Sequence, residues 1–262
     1  MTPEELAQAG LRYAEDGVVA TITLDRPDKR NAQTPATWRA LARTGASIGD
    51  QVRVVVVRAE GHSFSAGLDR SMLEPGGGDG QETVAGLLAL SDEQMSARIE
   101  EYQRGFTFLR DPRFVSIAAV QGYAIGAGFQ LALACDLRVM TDDAQFCMKE
   151  PALGLVPDLT GTKPLVESVG YARALEICAT ARMVGAAEAV DLGLALLAVG
   201  PDALDDTVAD LVGALTAPMA GAVSETKALL QAAAGRSRDD QRRAEREAQI
   251  RRFRELAAMM GG

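Results

Sequence analysis

The chain reads as an α/β protein, a sheet-based body followed by a helical region, on three observations. Strand-like and helix-like patterns alternate through the first half, a nearly all-valine run marks a strand covered on both faces, and the second half is mostly helical. With 262 residues, 47% hydrophobic and 24% charged, the chain can bury a full core, which argues against disorder, collagen or a coiled coil.

Val18 to Leu24 alternates and is rich in β-formers. After the turn-forming RPDKRN, Thr34 to Ile48 has the apolar spacing of an amphipathic helix entered at Thr34-Pro35. Gln51 to Ala59 supplies the valine strand, and strand, helix, strand is the parallel-sheet unit. Glu74 to Gly80 (EPGGGDG) is the most flexible-looking segment, and Asp92 to Leu109 resumes helical spacing. The insertion over residues 71–109 reads either as a flap over a site or as a solvated loop. Phe114 to Cys135 carries no charge and has the length of a membrane span. Gln121, Gly122, Gly126, Gly128 and Gln130 divide it, however, into a buried strand, a glycine loop and a buried helix. Beyond it, Leu137 to Met140 and Ala144 to Met148 read as strands, and Tyr171 to Thr180, Ala186 to Leu192, Ala203 to Leu215 and Ser224 to Ala233 as helices. Asp239 to Met260 reads as a charged peripheral helix, and no internal repeat is present. The division expected is a body over residues 1–200 and a helical region over 201–262.

Lysine and arginine total 27 against 36 acids, a net charge of -9, so the chain lacks the basic balance of a nucleic-acid binder. Cys135, Cys147 and Cys178 lie in apolar surroundings, and His62 is the one imidazole. That inventory argues against a disulfide scaffold, a Cys/His zinc site or a histidine triad. The N-terminus MTPEELAQAG lacks the regions of a signal peptide, so the cytoplasm is the expected compartment and no membrane partner is expected.

Two glycine runs follow strands: SFSAGLD at 63–69, and GYAIGAGFQ at 122–130, which also opens a helix. Small residues let a ligand oxygen approach the main chain, and two converging N–H groups would form an oxyanion hole. Taken singly, each run is weak evidence and reads first as a tight turn or a packing contact. Neither matches a dinucleotide or P-loop pattern. In KEPALGLVPD, Glu150 and Asp158 sit among apolar neighbours that would raise a carboxyl pKa and make it an acid or base; the alternative is a carboxylate paired with Lys149 or an arginine.

The ordered set LDRPDKRNA at 24–32, FSAGLD at 64–69, QGYAIGAG at 121–128, ACDLRV at 134–139, EPALGLVPD at 150–158 and AAEAVDLGL at 186–194 resembles the enoyl-CoA hydratase/isomerase (crotonase) superfamily. The resemblance runs from about Val18 to the C-terminal helix. It implies a crotonase-like spiral of ββα repeats with C-terminal helices that build a homotrimer or hexamer. It also implies acyl-CoA as substrate, an enolate stabilised by two backbone N–H groups, and no metal or redox cofactor. Carried over by position, the two donors are Leu68 and Ala127, with alanine where the family usually has glycine. Family hydratases use two glutamates; here the first position is Gln130 and the second Glu150, so an amide stands where a base would be and is left to orient a water.

Glu150 falls where the superfamily's double-bond isomerases keep a single acid/base, and Asp158 eight residues later is similar to the dienoyl-CoA isomerases. Those enzymes carry an aspartate at the position of Gln130. The implied activity is therefore an acyl-CoA isomerase of fatty-acid metabolism, with a hydratase or a catalytically weak acyl-CoA binder as alternatives. Substrate-binding positions implied are Arg26, Lys29, Arg30 and His62 for CoA, with Ala66, Gly67, Asp69, Arg70, Gly126 and Gly128 in the donor loops; His62 reads equally as an exposed loop histidine. Many relatives continue into a further helix that touches a neighbouring subunit's CoA, so ending at Gly262 implies an adenine end that is more open or supplied otherwise.

Overall fold

A computed structural model describes residues 1–74 and 82–260. Most of the EPGGGDG segment therefore lies outside the described residues. A six-stranded sheet forms the body, in the order β1 (Leu11–Asp16), β2 (Val19–Leu24), β3 (Val54–Ala59), β4 (Val115–Val120), β6 (Leu137–Thr141) and β9 (Leu197–Val199). Only β1 and β2 pair antiparallel; the other neighbours run parallel. A smaller sheet joins β5 (Tyr123–Ile125), β7 (Gln145–Cys147) and β8 (Val184–Gly185).

The short helix α1 (Pro3–Gln8) precedes the body. Between β2 and β3 runs α2 (Pro35–Ser47), whose N-terminus is closed by a capping box between Thr34 and Thr37. The insertion contributes α3 (Val84–Leu88) and α4 (Asp92–Thr107). Next come α5 (Ala127–Ala134), α6 (Thr162–Thr180), α7 (Ala186–Asp191), α8 (Leu204–Thr216), α9 (Ala220–Ala233) and α10 (Arg238–Met259).

Strand alternation explains the layers. In β3, Val55 and Val57 join the main core with Leu41, Phe64, Ala118 and Phe129, whereas Val54 and Val56 point to the opposite face. There they meet Ile117, Val139 and, on α8, Leu204 and Val208. The first C-terminal helix thus closes the back of the sheet, which is why β3 is apolar at nearly every position. Lys227 on α9 is buried and donates to the carbonyls of Asp111 and Phe114 and to the Asp136 carboxylate, each at 2.7 Å, fixing the helical region to the body.

The uncharged stretch 114–135 forms β4, β5 and the fully buried α5. Among the described residues no single helix is long and apolar enough to cross a membrane. Sequence patterning misses β1, an edge strand with three charged residues, and the two- and three-residue strands β8 and β9. Gly170, non-helical with a φ of 74°, kinks α6 into two segments; the helix read at Tyr171 to Thr180 is the second of them, and the first, which begins at Thr162, is missed.

Candidate active site

The two glycine runs converge because each lacks the atoms that would keep them apart. Ser65 donates its N–H to the Tyr123 carbonyl and accepts from the Ile125 N–H, 2.8 and 2.9 Å, so the first run lies alongside β5. Gly67 has φ +87°, and a Cβ there would stand 2.5 Å from the Ile125 carbonyl and 3.5 Å from the Ala127 nitrogen. A side chain at Gly128 would meet Ser65 Cβ and carbonyl oxygen at 2.7 Å. Only glycine satisfies both approaches.

Leu68 forms a parallel bridge with Gln33 in which the neighbours make the bonds: Gln33 N–H to the Gly67 carbonyl and Asp69 N–H to the Gln33 carbonyl, 2.7 and 2.8 Å. The Leu68 N–H is thereby turned away from Gln33. Ala127 is the first residue of α5, so its N–H precedes the first intrahelical bond. Among the described residues neither N–H has a hydrogen-bond partner. Both residues line one cavity of about 1180 Å³.

Glu150 lines the same cavity, buried at the start of a short 3₁₀ turn, Glu150–Leu153. Its Oε1 lies 3.1 Å from where a Gly126 Cβ would be, another reason for glycine at a φ of +51°. Gln130 Nε2 donates to Oε1 at 2.6 Å, while Oε2 is buried without a partner among the described residues. Burial foremost, and the nearby Asp158 charge, outweigh that hydrogen bond and raise the Glu150 carboxyl above its ordinary value. Asp158 also lines the cavity and is likewise raised, chiefly by desolvation. Neither carboxylate forms an ion pair among the described residues, so the pairing with Lys149 or an arginine is not the arrangement found.

Gln130 is fully buried and is not among the residues that line the cavity. Its Oε1 accepts from the N–H groups of Leu159 and Gly161 at 2.9 and 3.1 Å. Lys29, Arg30, Ala66, Asp69, Arg70 and Gly126 lie in the cavity wall. Arg26 does not: its guanidinium is committed to the Asp69 carboxylate at 3.0 Å and the Ala32 carbonyl at 2.8 Å. His62 is exposed and outside the wall; its carbonyl packs under Gly122 instead.

Residue-type reasoning overlooks the polar scaffold beneath the first donor loop. Ser65 Oγ donates to the Asn31 carbonyl at 2.8 Å and accepts from the Gly67 N–H and Gln33 Nε2, both at 3.1 Å. Asn31 Nδ2 donates to the carbonyls of Glu60 and Ser63 at 2.8 Å. The signal was present in the quoted RNA and FSA strings, but the partners lie some thirty positions apart in the chain.

Two main-chain N–H groups without partners among the described residues share the cavity with a desolvated carboxylate, and the chain belongs to the enoyl-CoA hydratase/isomerase family, whose model matches residues 14–261. Its relatives divide between activities. The peroxisomal Δ(3,5)-Δ(2,4)-dienoyl-CoA isomerase of Arabidopsis thaliana is 31% identical over 223 residues, 84% of this chain and 80% of that protein. A protein of Rhizobium meliloti (strain 1021) named for enoyl-CoA hydratase is 34% identical over 190 residues, 72% of this chain and 68% of that protein. Among solved structures, a Thermobifida fusca protein also named for enoyl-CoA hydratase, in complex with acetoacetyl-CoA, is 52% identical with a TM-score of 0.94, covering 97% of this chain and 98% of its own.

Proposed function

We propose that this protein is an acyl-CoA double-bond isomerase. The observation that carries the reading is the pairing at the cavity floor: one buried carboxylate, Glu150, beside two unpartnered main-chain N–H groups, with an amide and not a second acid at position 130. The complex of the Thermobifida fusca protein with acetoacetyl-CoA supports the substrate class.

In this mechanism the N–H groups of Leu68 and Ala127 bind the thioester oxygen, where each donor is worth ~2.7–4 kcal/mol as negative charge develops. Glu150 takes the proton from C2; the C–H electron pair moves into the conjugated system, giving an extended enolate, a dienolate from a 3-enoyl substrate or a trienolate from a 3,5-dienoyl one, with its charge on that oxygen. The proton returns further along the chain, at C4 for a 3-enoyl substrate or C6 for a 3,5-dienoyl substrate. Glu150 alone can serve the shorter transfer, and the Glu150/Asp158 pair the longer one. A carboxyl raised toward neutrality suits both directions of transfer. The reaction needs no metal or redox cofactor, since the proton and electron pair leave and return within one substrate. In the same reading Lys29, Arg30 and Arg70 meet the CoA phosphates, and exposed Tyr171, Leu175 and Phe253 belong to a trimer or hexamer contact, measurable by light scattering.

The test is to offer 3-enoyl-, 3,5-dienoyl- and 2-enoyl-CoA and follow the products by mass. The expected result is a new isomer of unchanged mass from one of the first two. Addition of a water to 2-enoyl-CoA as the main reaction would favour a hydratase, the activity for which the Rhizobium meliloti relative is named. Saturable binding without any product would favour a binding protein.

A further inference from the structure

Gln130 is the residue the two-acid and one-acid mechanisms leave without work, yet it is among the most constrained side chains in the site. It is fully buried on α5, and Gly161 must be glycine to admit it, since a Cβ there would lie 2.6 Å from Gln130 Cγ. The amide orientation is fixed by chemistry. Two backbone N–H groups, of Leu159 and Gly161, point at one end, and N–H groups only donate. That end is therefore the oxygen, and the nitrogen faces Glu150 Oε1 at 2.6 Å.

We infer that Gln130 is a positioning residue that clamps Glu150 to the 158–161 loop and confines proton transfer to Glu150 Oε2. The clamp works in both protonation states. Oε1 accepts from the amide whether or not the carboxyl is protonated, so an arriving proton goes to Oε2, the oxygen with no partner among the described residues. When substrate C2–H gives up its proton, the new O–H bond forms at Oε2 and the electron pair remains with the extended enolate; the return step reverses this. Leu159 follows directly on Asp158, so the same amide sets the spacing between the two acids. A glutamate at 130 would satisfy Leu159 and Gly161 but oppose one acceptor to another at Oε1. This inference rests on the proposed isomerase reading for its kinetic consequence, but its geometric part does not.

Other groups that set the Glu150 charge are Asp158, Lys149 beside it, Cys147 on β7 and Cys178 on α6, and none of them is altered by the test. With ¹³C-carboxyl-labelled glutamate, the Glu150 resonance is assigned from its loss in Glu150→Gln. Its midpoint is expected to rise in Gln130→Met, which removes donor and acceptor, and further in Gln130→Glu, which opposes a second acid. An unmoved midpoint in both variants overturns the clamp. The wild-type protein gives an arm that needs no variant: the Gln130 side-chain N–H resonances are expected to follow the Glu150 titration, and resonances indifferent to it overturn the clamp as well. On whichever acyl-CoA the wild type turns over, Gln130→Met is expected to lower kcat about tenfold or more, with KM within about twofold and the acid limb of the pH profile moved upward. A loss of kcat with an unmoved profile overturns the positioning role. Absence of wild-type turnover would remove the isomerase reading while the two resonance measurements still decide the clamp.

Discussion

The floor and the roof of the cavity are built on opposite principles. At the floor, an added Cβ at Gly67 would stand 2.5 Å from the Ile125 carbonyl oxygen and one at Gly126 3.1 Å from Glu150 Oε1, and behind them one at Gly128 would stand 2.7 Å from Ser65. The roof is made of side chains: Val84, Leu87 and Leu88 on α3, Leu153 at the end of the Glu150 turn, and Leu155 and Val156 after it. Leu88 and Val156 are 72% and 73% exposed. Ion pairs from Glu82 to Arg39, at 2.6 Å, and to Arg98 hold the roof segment against α2 and α4. A site that must place hydrogen-bond donors on one oxygen uses main chain that tolerates no extra atom. A site that must accept an acyl tail uses exchangeable apolar surface.

The largest expected effect comes from the floor. Glu150→Gln keeps the shape and can still accept from Gln130, but cannot take a proton, so kcat on the isomerised substrate is expected to fall by about 10²–10⁴. Stability should move the other way. The folded carboxyl titrates above its unfolded value, so the stability it contributes is complete in the acid range and lost as pH rises through the raised value. Glu150→Gln is therefore expected to melt higher than wild type near neutrality, with the gain vanishing in acid, as thermal unfolding at several pH values would register. An equal melting gain at every pH would contradict a raised carboxyl.

Gly67→Ala is expected to rank next. Leu68 N–H belongs to the peptide that Gly67 orients, and alanine there faces both a left-handed φ of +87° and the Ile125 carbonyl. Loss of one donor costs about 10²–10³ in kcat, and circular dichroism should show the fold retained. If the Gly67→Ala variant kept its kcat intact, the converging N–H groups would not be the catalytic donors.

What the sequence revealed follows the same division. The strand-helix-strand unit, the glycine runs and the Glu150/Asp158 spacing were legible because each is local: β alternation, a Thr34-Pro35 helix entry, a motif of ten residues. Gln130 was legible as a departure from two-glutamate spacing but not as a clamp, because its partners at Leu159 and Gly161 are set by how α5 meets a distant loop. For the same reason Arg26 reads as a CoA contact, whereas the fold pairs it with Asp69 across 43 positions. Charge type is visible in a string of residues; whether that charge is already spoken for depends on tertiary placement.

Asp158 lies between the two regions, lining the cavity yet exposed on one side. Asp158→Asn is expected to lower 3,5-dienoyl turnover about tenfold to a hundredfold and to leave 3-enoyl turnover within about twofold, because only the longer transfer uses a second acid. Equal retention of both, in parallel progress curves, would take Asp158 out of the chemistry.

Roof variants should have the smallest effects. Leu88→Ala and Val156→Ala remove apolar atoms that are mostly solvent-exposed without substrate, so folding stability is expected to change by no more than about 0.5 kcal/mol. Rates with short acyl chains, which do not reach the roof, should hold. Longer chains lose contact with the deleted methyl groups, and pocket methylenes are worth about 1–3 kcal/mol each when fully enclosed. Half-open positions such as these deliver a fraction of that, so kcat/KM for long relative to short chains is expected to fall about threefold to tenfold. A chain-length series measured with both variants tests this directly. Uniform loss at every length would mean that the roof shapes the floor after all, and that the two regions are mechanically one.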